Sequence, residues 1–279
     1  MTDNYGTYAE NTWCTGCGNF GILTAFKRAL KTLGENGIDK DKLLITSGIG
    51  QHGKIFDYLS LSGFYSLHGR SMATAQGIKL AKPELKVIDF VGDGDALGEG
   101  IEHLIFAAKR NADITVVLHD NGVYGLTTGQ FSPRSEMGYR GPSTPYGNVE
   151  EPLAPLSLML EAGATFIARG YSARIDNLSE LIVKGVMHEG FSFIDVLQPC
   201  VAYNNTYSLY NKITEVMDGE NSDYDEAIKI SKDKEKIKLG VVYRDSNSGR
   251  APYHKRILLP ERQSREKRIE TLNSILSAL

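Results

Sequence analysis

Apolar positions recur along this chain at two spacings, and their alternation organises it. Phe20, Leu23, Phe26, Leu30 and Leu33 fall at helical spacing until Gly34-Glu35-Asn36-Gly37 ends the helix. Residues 43–46 read as a strand opening into Ser47-Gly48-Ile49-Gly50. Residues 64–67 are a short run leading to His68-Gly69-Arg70, and an Ala-rich helix over 71–81 breaks before Pro83. The clearest unit follows. Residues 87–91 form a β-branched and apolar run. Leu97, Ile101, Leu104, Ile105 and Ala108 then share one helical face, with Glu102, Lys109 and Arg110 opposite, and 114–118 is a second buried run. A helix of this length between two buried strands predicts a parallel βαβ unit.

Residues 128–155 are rich in Gly, Pro, Ser and Tyr and show no period. A loop that long inside a compact domain is usually functional, and it reads as a lid or a subunit contact. Helices over 156–164 and 177–188 then alternate with strand runs at 165–168 and 191–197, which predicts a three-layer, doubly wound, mostly parallel α/β sheet. Dense charge alternation over 218–238 reads as a solvated helix or linker, with one edge strand at 239–243. Ile269, Leu272, Ile275, Leu276 and Leu279 share a helical face expected to dock on the chain itself. The organisation expected is an arm over 1–12, a main domain over 13–205, and an extension over 206–279 packing on that domain or on a partner.

Composition narrows the classes. Of 279 residues, 41% are hydrophobic and 23% charged, as in an ordinary globular protein, and the net charge of −3 gives no reason to expect nucleic acid. The first dozen residues are polar and acidic, so no signal peptide is expected, and no apolar run approaches membrane-spanning length. Three cysteines cannot all pair within one chain. The Cys14-x-x-Cys17 spacing suggests metal or redox work inside the cell, hence a cytoplasmic location.

Both strands of the βαβ unit end in glycines and oxygen ligands: Gly92-Asp93-Gly94-Asp95 and His119-Asp120-Asn121-Gly122. Ligands of parallel sheets collect at such carboxyl ends. A diphosphate needs close backbone N–H groups, which glycines permit, and Asp93 would repel it unless a cation lay between them. Asp93 and Asn121 offer hard oxygens for Mg²⁺, and the Val123 carbonyl is a further candidate. A dinucleotide reading would need Gly at position 97, which is Leu97, and is favoured by Asp120 alone. The plainest reading makes both segments simple turns; their occurrence at paired strand ends favours a metal–diphosphate site.

The pair resembles the thiamine-diphosphate motif. Trp13-Cys14-Thr15-Gly16-Cys17-Gly18, Ser47-Gly48-Ile49-Gly50, Leu67-His68-Gly69-Arg70, Gly92-Asp93-Gly94-Asp95, Asn121-Gly122-Val123-Tyr124-Gly125-Leu126-Thr127 and Leu197-Gln198-Pro199-Cys200 occur in that order. Together, over roughly two thirds of the chain, they resemble the beta subunit of 2-oxoacid:ferredoxin oxidoreductases. The resemblance implies the pyrophosphate-binding domain of thiamine enzymes and oxidative decarboxylation of a 2-oxoacid of the 2-oxoglutarate or pyruvate class. Coenzyme A would take the acyl group and ferredoxin the electrons. It implies thiamine diphosphate lined by Ile49, Gly50, Gln51, His52, His68, Gly94, Asp95, Gly125 and Leu126; Mg²⁺ on Asp93, Asn121 and Val123; and a 4Fe-4S cluster on Cys14, Cys17 and Cys200. Lys54 is the candidate for the substrate carboxylate. An alpha subunit would supply the activating glutamate, so this chain is half of an active site.

Two departures stand out. Members of the family generally carry a fourth cysteine in or just after the Ser-Gly-Ile-Gly loop, but here Gln51 follows Gly50; His52 and Asp57 are the nearest candidates for a fourth ligand, and His52 would also complete a Cys₃His zinc set. Many also carry Lys where this chain has Thr128. The missing cysteine favours, as the alternative, a subunit of a cluster-free thiamine-dependent decarboxylase or synthase. A nicotinamide-dependent dehydrogenase and a non-catalytic scaffold subunit are more distant readings.

Overall fold

The computed structural model describes residues 5–245, 249–257 and 264–277. In chain order, α1 (Asn19–Glu35) precedes β1 (Leu43–Ser47), a 3₁₀ turn (His52–Tyr58), β2 (Ser62–Tyr65) and α2 (Ser71–Ala81). The predicted βαβ unit follows as β3 (Lys86–Gly92), a π-helical turn (Gly94–Glu99), α3 (Ile101–Arg110) and β4 (Ile114–Asp120). A small hairpin of β5 (Val123–Tyr124) and β6 (Gln130–Phe131) opens the long loop. After it come α4 (Pro155–Glu161), β7 (Phe166–Tyr171), α5 (Ile175–Met187), β8 (Ser192–Leu197), α6 (Tyr207–Ile213), β9 (Thr214–Glu220), α7 (Tyr224–Lys232) and β10 (Ile237–Arg244). The short α8 (Tyr253–Arg256) and α9 (Arg265–Ser277) close the described chain.

Eight strands form one sheet in the order β2-β1-β3-β4-β8-β7-β10-β9. The six strands from β2 to β7 are parallel; β10 runs antiparallel to β7 and carries β9 parallel to itself. Strand side chains alternate between faces, so both faces of a buried strand must be apolar. Ile88 and Phe90 of β3 pack with α1 and α5, through Phe26, Leu30, Leu178 and Ile182. Val87 and Val91 pack on the opposite face with α2 and α3, through Met72, Ala75, Leu104 and Ala108. This is the three-layer doubly wound architecture the alternation predicts.

The expected elements of the first two hundred residues are all present, with shifts of a few positions at their ends. The differences lie beyond. Residues 214–220 form a strand that runs into the 218–238 segment expected as a solvated helix or linker, of which 224–232 is helical as α7, and β10 is an inner strand because β9 covers its edge. β9 escapes the periodic reading because it is an outer strand carrying charge: Lys238 pairs with Glu215 at 2.8 Å and Arg244 with Glu220 at 2.9 Å. The expected docking of the last helix on the chain itself fails. Ile269, Leu272, Ile275 and Leu276 of α9 stay 47–67% exposed, and Leu279 lies outside the described residues. Of the arm, residues 5–12 lie along the 3₁₀ turn, with Gly6 bridged to Leu59 and the Thr12 N–H donating to the Tyr58 hydroxyl at 3.0 Å.

Two helical glycines separate packing from propensity. A Cβ at Gly21 would stand 2.0 Å from the Ser172 carbonyl oxygen, whereas one at Gly77 meets nothing within 4 Å. Gly21→Ala should therefore destabilise the fold by about 1–3 kcal/mol, and Gly77→Ala should stabilise it by about 0.4–1 kcal/mol. Urea unfolding of the two variants beside the parent checks the opposite signs.

Candidate active site

The carboxyl ends of β1, β3 and β4 meet over one cavity. Its lining includes Ile49, Gly50, Gln51, His52, His68, Asp93, Gly94, Asp95, Asn121, Val123, Gly125 and Leu126, all of the expected cofactor and magnesium residues. Asp95, only 2% exposed, ties the loops together: its Oδ1 accepts the Gly69 N–H at 2.7 Å and the Ile49 N–H at 3.2 Å. His68 Nδ1 lies 3.1 Å from Oδ1, and His52 Nε2 lies 3.4 Å from Oδ2. Burial works against ionising this carboxyl, but the two imidazoles and the Gly69 N–H outweigh it and hold it well below the usual carboxylate range. The glycines are steric necessities here. A Cβ at Gly48 would fall 1.9 Å from Asp95 Oδ2, and one at Gly94 2.3 Å from the Tyr124 ring. That ring is fixed by its hydroxyl, which donates to Glu99 at 3.2 Å.

Asp93 is in the opposite condition. It is 2% exposed, and burial, reinforced by the charge of Asp120, pushes its carboxyl up to about 7. The Ser132 hydroxyl donates to its Oδ2. Asn121 Oδ1 accepts the Val123 N–H at 2.9 Å, and its carbonyl accepts from Asn204 Nδ2 at 2.9 Å, which fixes the loop. No residue lining the cavity is Lys or Arg. An anionic diphosphate would thus meet buried carboxyl groups with no Lys or Arg beside them, the charge arrangement a bridging divalent cation relieves. The oxygen set fits such a cation.

Sequence reasoning passed over His119, Ser132 and Arg134. His119 lines the cavity from the end of β4. Its Nδ1 contacts Asn19 Oδ1 at 2.8 Å, its Nε2 has no partner, and burial holds its pKa well below the ordinary value, so it stays neutral. Its position two residues before Asn121 on a buried strand was the available signal. Arg134 Nε donates to Asp120 Oδ2 at 2.8 Å, so the acid that favoured a dinucleotide is committed to the long loop. That loop is stitched down, its buried Asn148 donating to the Ser135 and Glu150 carbonyls.

The cysteines meet as well. Cys14, Cys17 and Cys200 line a second cavity with Trp13, Asn19, Gln51, Asn121, Gly125, Gln198 and Tyr203. The Gly18 N–H donates to the Pro199 carbonyl at 3.1 Å, which locks the Cys-x-x-Cys turn against the loop after β8. Gln198 Nε2 approaches Cys17 Sγ at 3.6 Å. Burial, with smaller contributions from the neighbouring cysteines, pushes the Cys17 thiol up to about 11. The two suggested fourth ligands lie elsewhere: His52 faces Asp95, and Asp57 shares a separate hollow with Lys54, Thr7 and Thr12. Lys54 is thus outside the cofactor cavity, its ammonium donating to Thr12 Oγ1 at 2.9 Å.

Comparison with known proteins agrees with this geometry. Residues 48–196 match the family model for the thiamine pyrophosphate enzyme C-terminal TPP-binding domain. The beta subunit of 2-oxoacid:ferredoxin oxidoreductase from Saccharolobus solfataricus is 46% identical over 223 residues, 78% of this chain and 72% of that one. The 2-oxoglutarate synthase subunit KorB of Archaeoglobus fulgidus is 42% identical over 188 residues, 67% of this chain and 69% of its own. A solved structure of the 2-oxoglutarate:ferredoxin oxidoreductase from Magnetococcus marinus, with 2-oxoglutarate, coenzyme A and succinyl-CoA bound, superposes with a TM-score of 0.87 at 33% identity. It covers 97% of this chain and 95% of that one. Fold and site thus define a thiamine-diphosphate-binding subunit of an oxidoreductase. Within that class, the chain belongs to the beta subunits of the 2-oxoacid:ferredoxin oxidoreductases.

The Asp95 contacts make a pH prediction. The hydrogen bond to Asp95 outweighs burial and raises the His68 pKa above its ordinary 6.5. His68 then contributes stability that is fully present below the unfolded value and is lost as pH rises through the folded one. Proton NMR should find His68 titrating above 6.5, and Asp95→Asn should return it to that value or below.

Proposed function

We propose that this chain is the cofactor- and electron-carrying half of a coenzyme A-dependent 2-oxoacid:ferredoxin oxidoreductase of the 2-oxoglutarate class. One observation carries the reading: Gln51, Asn121 and Gly125 line both the cofactor cavity and the cysteine cavity, so a single wall separates them. Electrons released during decarboxylation at one would have the shortest exit through the other. The relatives' names support the substrate class, since one is a 2-oxoglutarate synthase subunit and the solved neighbour binds 2-oxoglutarate and coenzyme A. Among the described residues no helix is long and apolar enough to cross a membrane. The working location proposed is the cytoplasm, with ferredoxin as acceptor.

When bound, thiamine diphosphate supplies carbanion chemistry and an electron sink for decarboxylation. Asp93, Asn121 and the Val123 carbonyl would hold Mg²⁺, with Ile49, Gly50, Gln51, Gly94, Gly125 and Leu126 as walls. His52 and His68, held by Asp95, and neutral His119 set the hydrogen-bonding polarity of the cavity. Lys54, on the same 3₁₀ turn as His52, is the candidate for the substrate carboxylate. Its present acceptor is a neutral hydroxyl, which a carboxylate would outcompete. Cys14, Cys17 and Cys200 would hold the 4Fe-4S cluster. The competing reading, a cluster-free decarboxylase or synthase subunit, is favoured by the absence of a fourth cysteine.

Asp93→Ala should weaken Mg²⁺-dependent thiamine-diphosphate binding by at least about 100-fold, since even outer-shell losses cost 10–100-fold, and Asn121→Ala should cost less because it removes a neutral ligand. Calorimetric titration of the assembled complex reads both, and unchanged affinity in the Asp93 variant would sink the site. The isolated chain should bind the cofactor weakly and catalyse nothing. Addition of an alpha subunit should restore 2-oxoglutarate-dependent reduction of a viologen dye, and comparable turnover by this chain alone would refute the half-site proposal.

A further inference from the structure

We infer that Gln51 is the fourth ligand of the cluster on Cys14, Cys17 and Cys200, its carboxamide oxygen binding the iron that no cysteine reaches. The inference rests on the reading of the cysteine cavity as a cluster site. Such clusters take four protein ligands, and this chain has three cysteines in all. Asn19, Gln51, Asn121, Gln198 and Tyr203 are the other polar residues of the cavity. Most are committed. Asn19 Oδ1 contacts His119 Nδ1 at 2.8 Å, and Asn121 Oδ1 accepts the Val123 N–H at 2.9 Å. Gln198 turns the N–H end of its amide to Cys17 Sγ and to the Pro199 carbonyl, so its oxygen faces away from that sulfur. Tyr203 is 42% exposed and leans on Gly129.

Gln51 shares with Gln198 a buried Oε1 that has no hydrogen-bond partner, but the Gln198 amide is held by the two contacts of its N–H end. For Gln51, whose amide has no such contact among the described residues, a ligand would relieve the buried oxygen. Its backbone is held, because Trp13 Nε1–H donates to the Gln51 carbonyl at 2.7 Å. Its neighbour His52 is turned towards Asp95 in the other cavity. A single zinc ion would need three sulfurs within about 3.8 Å of one another, from bonds of about 2.3 Å in a tetrahedron. Among the described residues no three Cys, His, Asp or Glu side chains converge in that way. A cubane seats each thiolate on a different iron and asks for wider spacing.

A neutral oxygen in place of a thiolate leaves one iron more weakly held. One-electron oxidation by ferricyanide then releases it: the 4Fe-4S core in its 2+ state becomes a 3Fe-4S core in its 1+ state, Fe²⁺ leaves, and the electron reduces ferricyanide to ferrocyanide. The four sulfides and three thiolates stay in place.

The test uses the complex with its alpha subunit, purified without oxygen, in the parent and in Gln51→Cys, Gln51→Glu and Gln51→Ala. Iron and sulfide are assayed and paramagnetic spectra recorded before and after one equivalent of ferricyanide. Parent and Gln51→Glu should hold about four irons per chain and lose about one on oxidation, giving a three-iron signal. Gln51→Cys should keep its iron, and Gln51→Ala should already lack about one Fe²⁺ before oxidant is added, its three-iron core then in the 0 state, one electron more reduced than the ferricyanide product. Gln51 is excluded as a ligand if Gln51→Ala keeps four irons and the parental spectrum, or if the parent resists oxidation as well as Gln51→Cys does. Iron in Gln51→Cys but not in the parent also overturns the inference while leaving three cysteines poised for a cluster. Iron in neither, or stoichiometric zinc, overturns the cluster reading together with it. Should Gln51→Ala fail to assemble, the comparison of the parent with Gln51→Cys still decides.

Discussion

The site depends on one buried carboxylate. Asp95 collects N–H groups from the loops after β1 and β2 while facing an imidazole from each, so three strand ends are held at a common point. A charge so deeply buried is tolerated because the two imidazoles and the Gly69 N–H, which favour its ionised form, outweigh the burial that opposes it. Gly48 is demanded by this arrangement, since any side chain there would occupy the carboxylate's position. The other glycines of Ser-Gly-Ile-Gly and His-Gly-Arg answer to neighbours of that acid, Gly50 to the His52 ring and Gly69 to the Glu99 backbone. Asp95 lines the cofactor cavity, but its work is done on the protein.

A second set of contacts fixes the depth of the cavity. Ser132 reaches Asp93 and Arg134 reaches Asp120, both from the long segment after β6. The segment closes over the ends of β3 and β4 through these two acids, and Tyr124 wedges against Gly94 beneath it. Asn204, from beyond β8, holds the Asn121 carbonyl from the far side and also closes an isolated bridge with Cys200. The loop that would hold the metal and the loop that would hold the cluster are therefore mechanically joined. A shift in either propagates into the wall of Gln51, Asn121 and Gly125.

Much of this was legible in the sequence. The buried strands of β3 and β4 announce themselves because both faces of a central parallel strand are apolar, and their glycine–acid endings follow from the chemistry of strand ends. The three cysteines come from distant parts of the chain, and only the order of motifs linked them. What stayed hidden has physical causes. β9 is an outer strand whose charges mask its period, and Ser132 and Arg134 sit in an aperiodic segment where no pattern marks a side chain that crosses to another loop. α9 has the expected apolar stripe, yet a stripe says that a face wants cover and says nothing about what covers it.

Four acids are buried along β3, β4 and the turn between them, and their compensation differs in an ordered way. Asp89, fully buried in the sheet, has one hydroxyl per oxygen, from Thr46 at 2.8 Å and Ser71 at 3.0 Å, and burial pushes it up to about 7. Asp120 has the guanidinium of Arg134. Asp95 has two imidazoles and two N–H groups. Asp93 has one hydroxyl, with smaller help from the Arg134 charge and the Gly94 N–H that burial and Asp120 outweigh, and it stands on the cavity wall. An acid deep in the sheet can remain protonated at little functional cost. An acid on the cavity wall, beside an amide oxygen, would be balanced by a cation if the proposed diphosphate binds there. Arg134 is committed to Asp120, and under the proposed function that distribution would couple the binding of cofactor and cation.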